Sequence, residues 1–311
     1  CGSSLKAGMI AAHAIKAEDG DVYLAGGAES MSRAPYLNDS VRAGNKYGEV
    51  TLRDSLKTDG LWCTLCDWGM GNAAEFIGRQ LEITREEMDR FAARSHERAA
   101  TATDAGKFKA EIATITLKGR KGDTVIDVDE PIRRDTSVET LAKLPAAFEK
   151  DGAVTAGNAP GMNDGSAAVV VASREYAEKH GHKPIARIVG YGQAAVEPAW
   201  LFYAPVKAIP VALARAGWTA DDVDLFEINE AFASQVLADL KGMKRDGHCV
   251  PMEKVNVNGG AIALGHPLGA SGARVLVTLI HALQDRGMKR GVAALCLGGA
   301  EGVAMAVELE D

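Results

Sequence analysis

The sequence lacks long hydrophobic runs and an excess of positive charge. None of its apolar runs approaches the ~18 residues of a membrane-spanning helix, although 47% of the 311 residues are hydrophobic. Its 42 acidic residues outnumber its 35 Lys and Arg residues, which gives a net charge of −7. We therefore expect neither a membrane nor a nucleic acid as the partner of this chain.

Cysteine is also scarce, with five residues at positions 1, 63, 66, 249 and 296. An odd number at such wide spacing does not resemble a disulfide framework, so we expect a reducing compartment. The chain start carries no signal peptide pattern, which makes the cytoplasm the expected location. Cys63-Thr-Leu-Cys66 has neither a second CxxC pair nor a suitably spaced His, and we predict no metal site.

Glycine, in contrast, is abundant. The 34 Gly residues favour a turn-rich α/β protein over a helical bundle. They are densest in residues 256–274, where His266 is followed by Pro267 and then by a helical pattern. Pro is typical of the first turn of a helix, so we expect His266 directly before a helix N-terminus. A His that stood alone in such a loop would more often be structural than catalytic.

The chain begins with Cys1 at the start of a helix predicted from Leu5 to Lys16. A thiol there feels the positive end of the helix dipole, which makes it a better nucleophile. The alternative is a small buried Cys without chemistry. A short buried strand follows from residue 21, and it is predicted to end at the glycine pair Gly26-Gly27.

The sequence contains an internal repeat. Residues 24–29, Leu-Ala-Gly-Gly-Ala-Glu, correspond to residues 296–301, Cys-Leu-Gly-Gly-Ala-Glu, and both segments follow a predicted helix. One of these helices carries Cys1 at its start and the other follows His266. The repeat predicts two similar α/β halves that bring Cys1 and His266 together at facing helix starts.

The region between the halves is more polar. It contains one clear helix that is capped by Thr84. After it, a Gly-rich turn at residues 155–165 leads into a continuous apolar strand, which we expect to be buried on both faces. Residues 224–233 predict a short strand followed by a helix, and Asn229 at their junction is a candidate helix cap.

Several motifs make the sequence resemble the thiolase family, which comprises acetyl-CoA C-acetyltransferases and 3-ketoacyl-CoA thiolases. They are Cys1-Gly-Ser-Ser-Leu, Ala25-Gly-Gly-Ala-Glu-Ser-Met, Thr155-Ala-Gly-Asn-Ala, Asn229-Glu-Ala-Phe, Gly265-His-Pro and Cys296-Leu-Gly-Gly. The resemblance runs along the whole chain. The second Cys separates thiolases from the related ketoacyl synthases.

The resemblance implies a five-layer αβαβα fold with two repeated halves and an inserted lid. Residues 1–30 and 151–183 would belong to the N-terminal half, residues 31–150 to the lid that binds CoA, and residues 184–311 to the C-terminal half. The family's nucleophile usually lies well inside the chain, so the sequence resembles a fragment that begins at the nucleophile. Thiolases are usually homodimers or homotetramers.

The resemblance also implies the chemistry. Cys1 would attack an acyl-CoA thioester and hold the acyl group while His266 takes its proton. Cys296 would remove a proton from the methyl group of acetyl-CoA and return it in the thiolytic direction. Two sites would stabilise oxyanions: His266 with a water molecule held by Asn229, and the backbone N–H groups of Cys1 and Gly298.

Coenzyme A enters as part of the acetyl-CoA and acyl-CoA substrates, and no tightly bound cofactor is expected. The positions that correspond to the family's CoA contacts are Arg133, Thr140, Phe148, Ala156, Pro160 and Phe232. Three features depart from the biosynthetic thiolases: Gly69 replaces a His near the acyl pocket, Pro160 replaces a Ser, and residues 201–205 replace a Met-Gly-x-Gly-Pro run. These changes affect the acyl pocket and the CoA contacts, not the four predicted catalytic side chains.

Two alternatives belong to other classes. A chain whose first residue is Cys1 would suit an N-terminal nucleophile hydrolase that uses its own amine as base, but Gly265-His-Pro and Cys296 would then have no role. A thiolase-like CoA-binding protein without turnover would not need the complete set of Cys1, Asn229, His266 and Cys296.

Overall fold

The computed structural model describes residues 1–310. Its α-helices are α1 (Ser3–Lys16), α2 (Met70–Gln80), α3 (Arg85–Asp104), α4 (Val138–Leu141), α5 (Arg174–Lys179), α6 (Ala204–Ala216), α7 (Ala233–Arg245), α8 (Ala261–Leu264) and α9 (Ser271–Arg286). Its strands are β1 (Val22–Ser30), β2 (Tyr36–Leu37), β3 (Arg53–Asp54), β4 (Trp62–Cys63), β5 (Trp68–Gly69), β6 (Ile115–Leu117), β7 (Thr124–Ile126), β8 (Asp164–Ala172), β9 (Ala186–Ala195), β10 (Leu225–Ile228), β11 (Arg290–Leu297) and β12 (Glu301–Leu309). Short 3-10 helices cover Met31–Arg33, Val41–Ala43, Lys107–Ala110, Pro198–Tyr203, Ala220–Asp222 and Met252–Lys254, and a π-helical turn covers Leu56–Gly60.

The longer strands form two separate sheets. In the first, β1 and β8 pair antiparallel, with Gly26 opposite Ala168 and Gly27 opposite Ala167. The second has the strand order β10-β11-β12-β9, in which β10 and β11 are parallel and the other pairs antiparallel.

Helices α1 and α9 pack against each other between the two sheets. Their buried side chains, among them Leu5, Met9 and Leu279, share one hydrophobic core with Leu295 of β11 and Met305 of β12. Helix α6 covers the opposite face of the second sheet, against β9 and β12. The layers therefore alternate between sheet and helix, and the central helix pair carries the starts of α1 and α9.

Strand β8 does not have the predicted burial on both faces. Its residues alternate between half-buried and exposed, and Val170 is 71% exposed. On the neighbouring strand Leu24 is 77% exposed. The prediction was wrong because β1 and β8 bury only the side chains that face α1 and α9, and successive residues of a strand point to opposite faces.

The two copies of the Gly-Gly-Ala-Glu repeat have different structures. Gly26 and Gly27 lie inside β1, which continues to Ser30, so the predicted strand end was wrong. Gly298 and Gly299 instead form the turn between β11 and β12. The first pair stays extended because both residues take part in the antiparallel ladder with β8.

Two predicted helix starts are confirmed and two are wrong. Helix α1 follows Cys1 directly, and Thr84 caps α3 in a reciprocal capping box with Glu87. Helix α9 begins at Ser271 and not at Pro267. A turn precedes it, in which the N–H of Ala270 donates to the carbonyl of Pro267. Asn229 is not a cap, because α7 begins at Ala233.

Residues 31–150 stand apart from the two sheets. Their strands form three small antiparallel pairs, β2–β3, β4–β5 and β6–β7, and their helices are α2, α3 and α4. Helix α2 packs against α7, and α3 packs against α7 and α8. The division into residues 1–30 with 151–183, 31–150 and 184–311 stays a prediction. Within residues 1–310, no helix is both long and apolar enough to cross a membrane.

Candidate active site

The structure brings Cys1 and His266 into direct contact. The Sγ atom of Cys1 lies 3.2 Å from Nε2 of His266. The two helix starts face each other as the repeat predicts: the hydroxyl of Ser4 on α1 accepts a hydrogen bond of 2.8 Å from the N–H of Ala273 on α9. Gly272 makes this approach possible, because a Cβ there would lie 2.4 Å from the backbone nitrogen of Leu5.

The hydrogen bonds around His266 define its tautomer. The hydroxyl of Ser271 donates to the carbonyl of Pro267 at 2.9 Å, so it accepts from Nδ1 of His266 at 2.7 Å. In a neutral imidazole this leaves Nε2 as the acceptor that faces Cys1. Burial lowers the pKa of His266 to about 3, so the ring is neutral at pH 7. The arrangement is that of a base positioned to receive a thiol proton.

The loop that carries His266 is held by the segment before β8. Oδ1 of Asn163 accepts a hydrogen bond of 3.2 Å from the backbone N–H of His266. Gly265 has a φ of +94°, and a Cβ at this position would lie 2.6 Å from Cγ of Asn163. The Gly-rich turn at residues 155–165 and the Gly-rich turn around His266 are therefore two parts of one site.

Asn229 lies beside His266 at the end of β10. Its Nδ2 atom is 3.5 Å from Nε2 of His266, and the residue is 1% exposed. Its backbone N–H donates to the carbonyl of Ala294 on β11. The side chain of Asn256 exchanges two hydrogen bonds, of 2.9 and 2.8 Å, with the backbone of Ile228 and so fixes the residue before Asn229. Strand pairing and the side chain of Asn256 thus place Asn229 at the histidine.

Cys296 lies near the end of β11 and is fully buried. Burial raises the pKa of its thiol to about 12, and the carboxyl of Asp239 acts in the same direction. In the free protein Cys296 is therefore a neutral thiol at pH 7. A Cβ on Gly2, the residue after Cys1, would lie 2.9 Å from Cδ2 of Leu297, the residue after Cys296, so the two cysteines lie on adjacent segments.

Gly298 follows in the exposed turn between β11 and β12. The turn is closed by Gly299 and Ala300, both of which have positive φ angles. A hydrogen bond of 2.9 Å from the N–H of Val196 to the carbonyl of Ala300 ties it to β9. No contact of the described residues tests whether the N–H of Gly298 acts as a donor to substrate, and that role stays a prediction.

Two of the predicted CoA positions form an aromatic contact near Asn229. The ring centroids of Phe148 and Phe232 are 6.1 Å apart in an edge-on arrangement, and Phe202 packs on Phe232 at 5.4 Å. Phe232 is the residue before α7, three positions after Asn229, whereas Phe148 is 45% exposed.

Ala156 and Pro160 flank Asn158, whose hydrogen bonds join the start of α7 to helix α3. The carbonyl of Asn158 accepts from the N–H of Ala233 at 3.0 Å, and its side chain donates to buried Asp89 of α3. This turn therefore links α3 to the start of α7, directly after Phe232.

Arg133 and Thr140 lie elsewhere within residues 31–150. Arg133 borders a cleft of about 470 Å³ together with His96, Ser137 and Glu139. Its backbone N–H donates to Nδ1 of His96 at 3.1 Å. Thr140 exchanges hydrogen bonds with Ser137 in a capping box at the start of α4. Arg133 and Thr140 are thus neighbours, but the described contacts do not join them to Phe148 or Phe232.

Sequence reasoning missed the residues that support the central pair. They are Asn163, Ser271, Asn256 and Glu230, whose buried carboxylate accepts hydrogen bonds from Ser95, Asn256 and the N–H of Ile262. Glu230 lies inside the motif Asn229-Glu-Ala-Phe and Asn256 begins the Gly-rich segment 256–274, where polar side chains among apolar neighbours were the available signal. Nothing in the spacing of Asn163 and Ser271 shows which atom of His266 they contact.

Two family models match the chain. The thiolase N-terminal domain matches residues 1–175, and the thiolase C-terminal domain matches residues 182–309. The chain belongs to the thiolase family. This membership gives no support to a hydrolase or to a binding protein without turnover.

Individual thiolases agree with this result. An acetyl-CoA acetyltransferase of Chromobacterium violaceum is 50% identical over 309 residues, which are 99% of this chain and 78% of that protein. The crystal structure of human mitochondrial 3-ketoacyl-CoA thiolase has a TM-score of 0.94 at 43% identity, over 100% of this chain and 77% of its own. The structure of the acetyl-CoA acetyltransferase from Syntrophomonas wolfei has a TM-score of 0.97 at 41% identity, and the match covers 100% of this chain and 78% of that one. The predicted thiolase fold is confirmed.

Proposed function

We propose that this chain is an acyl-CoA C-acyltransferase that catalyses the reversible Claisen condensation of acetyl-CoA with an acyl-CoA, and the reverse thiolysis of a 3-ketoacyl-CoA. The observation that carries the proposal is the 3.2 Å contact between Cys1 Sγ and the unprotonated Nε2 of His266. A thiol in contact with a neutral imidazole can give its proton to the ring when it attacks, so neither group has to be charged in the buried site before the reaction. The named relatives, which are acetyltransferases and a thiolase, support this reaction class.

In the first step His266 takes the proton of Cys1, and the thiolate attacks the thioester carbonyl. The C–S bond to coenzyme A breaks, His266 returns the proton to the leaving thiolate, and the acyl group stays on Cys1. In the second step Cys296, in its thiolate form, removes a proton from the methyl group of acetyl-CoA. The resulting carbanion attacks the acyl carbon, the C–S bond to Cys1 breaks, and the Cys1 thiolate takes up the proton that Cys296 has gained.

The protonation state of Cys296 favours thiolysis as the starting direction. Thiolysis needs a proton donor for the acetyl-CoA carbanion that forms when the C–C bond breaks. A buried thiol with a pKa of about 12 is such a donor at pH 7. Condensation requires Cys296 to lose this proton first.

Oxyanion stabilisation is assigned to two sets of donors. His266 and a water molecule held by Asn229 serve one carbonyl oxygen, and the backbone nitrogens of Cys1 and Gly298 serve the other. The close position of Asn229 to Nε2 of His266 supports the first set.

We assign the CoA moiety to Arg133, Thr140, Phe148, Ala156, Pro160 and Phe232, with no tightly bound cofactor. The contact between Phe148 and Phe232, close to Asn229, supports the pantetheine end of this assignment. The cleft of about 470 Å³ beside Arg133 has room for the nucleotide end of coenzyme A. We further propose a homodimer or homotetramer in the cytoplasm, in agreement with the five free cysteines.

Peptide mass spectrometry after mixing the protein with acetyl-CoA tests the proposal. We expect an acetyl group on the peptide that contains Cys1, and none on the exposed control residue Cys249. The variant Cys1→Ser should lose most turnover and still bind CoA. Acetylation confined to Cys296 would show that the nucleophile is assigned wrongly.

A further inference from the structure

Two of the buried oxygen atoms that have no hydrogen-bond partner among residues 1–310 lie beside the same cavity. They are Oε1 of Glu227 and Oδ1 of Asn229. The residues are 3% and 1% exposed, and both border one cavity of about 20 Å³. Buried polar groups are rarely left without a partner, because each such group costs about 1–3 kcal/mol.

The other polar side chains around this cavity are already engaged. Arg274 forms a bidentate ion pair with Asp129, at 3.0 and 2.8 Å. Thr278 accepts a hydrogen bond from Nε of Arg274 and donates one to Oε1 of Glu111. Cys1, His266 and Cys296 do not border the cavity, so it is not part of the space in which a thioester would react.

The cavity has the size and the polarity for one water molecule. About 10–15 Å³ is the minimum for a water, and a water needs at least two polar partners. Burial raises the pKa of Glu227 well above its ordinary value, and the neighbouring carboxyl groups of Glu230 and Glu111 act in the same direction. Arg274 and Arg98 oppose this increase. Burial therefore favours the neutral carboxylic acid form of Glu227, which can share hydrogen bonds with a water.

We propose that a single water molecule in this cavity bridges the carboxyl group of Glu227 and the amide oxygen of Asn229, which makes Glu227 a positioning residue for Asn229. The water donates one hydrogen to Oδ1 of Asn229. This fixes the amide so that its NH₂ group, and not its oxygen, faces Nε2 of His266 at 3.5 Å. The inference rests on the proposed function, because it concerns the residue assigned to oxyanion stabilisation.

Loss of the bridge would allow the amide to rotate. With Oδ1 turned toward His266, two acceptors would face each other and Asn229 would hold no water for the substrate oxyanion. The effect should therefore be on turnover and not on substrate binding.

The test compares two replacements of Glu227. Glu227→Gln keeps a neutral polar group of the same shape, and its kcat should stay within about threefold of the unmodified protein. Glu227→Leu removes the partner of the water, and its kcat should fall about tenfold or more at a nearly unchanged KM, since loss of oxyanion stabilisation acts on the transition state. Thr278→Val is the matched control: it changes a hydroxyl at the same cavity and should leave kcat unchanged.

A double-mutant cycle separates positioning from a general structural effect. In an Asn229→Ala background, Glu227→Leu should change kcat by no more than about twofold, because the residue through which it acts is gone. Additive losses would overturn the proposal, as would a Glu227→Leu variant with full activity or a Glu227→Gln variant as slow as Glu227→Leu.

A high-resolution crystal structure gives an independent answer if Glu227→Leu does not fold. Density for a water within hydrogen-bond distance of both oxygens supports the inference, and an empty cavity overturns it. Full activity of Asn229→Ala without acetylation of Cys1 would instead contradict the proposed function.

Discussion

Cys1 and His266 are 265 positions apart in the sequence, yet Sγ of one lies 3.2 Å from Nε2 of the other. The contact depends on two helix starts that meet between two sheets, and on Ser271, which directs Nε2 toward the thiol. A thiol alone or a histidine alone in such a loop would have an ordinary structural explanation. Their contact, with the ring tautomer defined, is what points to nucleophilic catalysis.

We expect His266→Ala to impair both half-reactions. Positioned acid–base groups contribute about 10²–10⁴-fold to rate, so acetylation of Cys1 and turnover should each fall by at least about 100-fold. Quenched-flow mass spectrometry measures the first rate, and a thiolysis assay the second. His281→Ala, on the same helix α9 but outside the site, is the control and should keep both rates. A normal acetylation rate in His266→Ala would mean that another group takes the thiol proton.

Cys296→Ala should separate the two half-reactions. Without this thiol the methyl protons of acetyl-CoA should no longer exchange with solvent deuterium, whereas some acyl transfer to Cys1 should remain. NMR of acetyl-CoA in D₂O follows the exchange, and Cys249→Ala serves as control because Cys249 is exposed. If exchange continues at the normal rate in Cys296→Ala, the base is a different residue.

His96 should make folding sensitive to acid. Burial lowers its pKa from 6.5 to about 4, and its Nδ1 accepts a hydrogen bond from the backbone N–H of Arg133. The folded protein therefore favours the neutral form of His96. Between these two pKa values only the unfolded chain takes up this proton, and the free energy of unfolding therefore falls as the pH decreases. Below pH 4 both states are protonated and this contribution ends.

A His96→Gln variant isolates that contribution. Glu111 has the opposite dependence, because burial raises its pKa to about 7, so the pH profile of one protein alone is not diagnostic. The stability lost on His96→Gln should be smaller at pH 4.5 than at pH 7, by on the order of 2 kcal/mol. Urea unfolding of both proteins across this range measures it. Parallel pH profiles would show that folding does not shift the pKa of His96.

The sequence alone predicted the elements with strong local signals. The helix after Cys1, the capping box of Thr84 and the contact of Cys1 with His266 followed from caps, periodicity and the repeat. The prediction that β8 is buried on both faces was wrong, because an apolar run does not show whether one face of a strand or both will be covered. Tertiary packing decides that.

The supporting residues of the site could not be predicted in the same way. Asn229 has the composition and place of a helix cap, and only the parallel pairing of β10 with β11 turns it toward His266. Asn163 acts on a residue 103 positions away, through a backbone N–H that no sequence pattern marks. Such contacts arise from the packing of distant loops, whereas capping and periodicity are local.

The acyl-chain preference should depend on Gly69. Its neighbour Trp68 packs on Phe76 at 5.5 Å, and Tyr203 accepts a hydrogen bond from Arg245. A Cβ at residue 69 would meet Oδ1 of Asn72 at 3.4 Å and the carbonyl of Leu61 at 3.8 Å, which are ordinary contacts.

We therefore expect a pocket that accepts acyl groups longer than acetyl, with each buried methylene contributing ~0.8 kcal/mol. Thiolysis should be at least as efficient, in kcat/KM, for 3-ketohexanoyl-CoA and 3-ketooctanoyl-CoA as for acetoacetyl-CoA. Gly69→His should narrow this range, whereas Gly69→Ala adds only a Cβ and should leave the profile nearly unchanged. A tenfold or greater preference of the unmodified protein for the four-carbon substrate, about 1.4 kcal/mol in transition-state binding, would reject the wide pocket. An unchanged profile in Gly69→His would show that residue 69 does not line the acyl pocket.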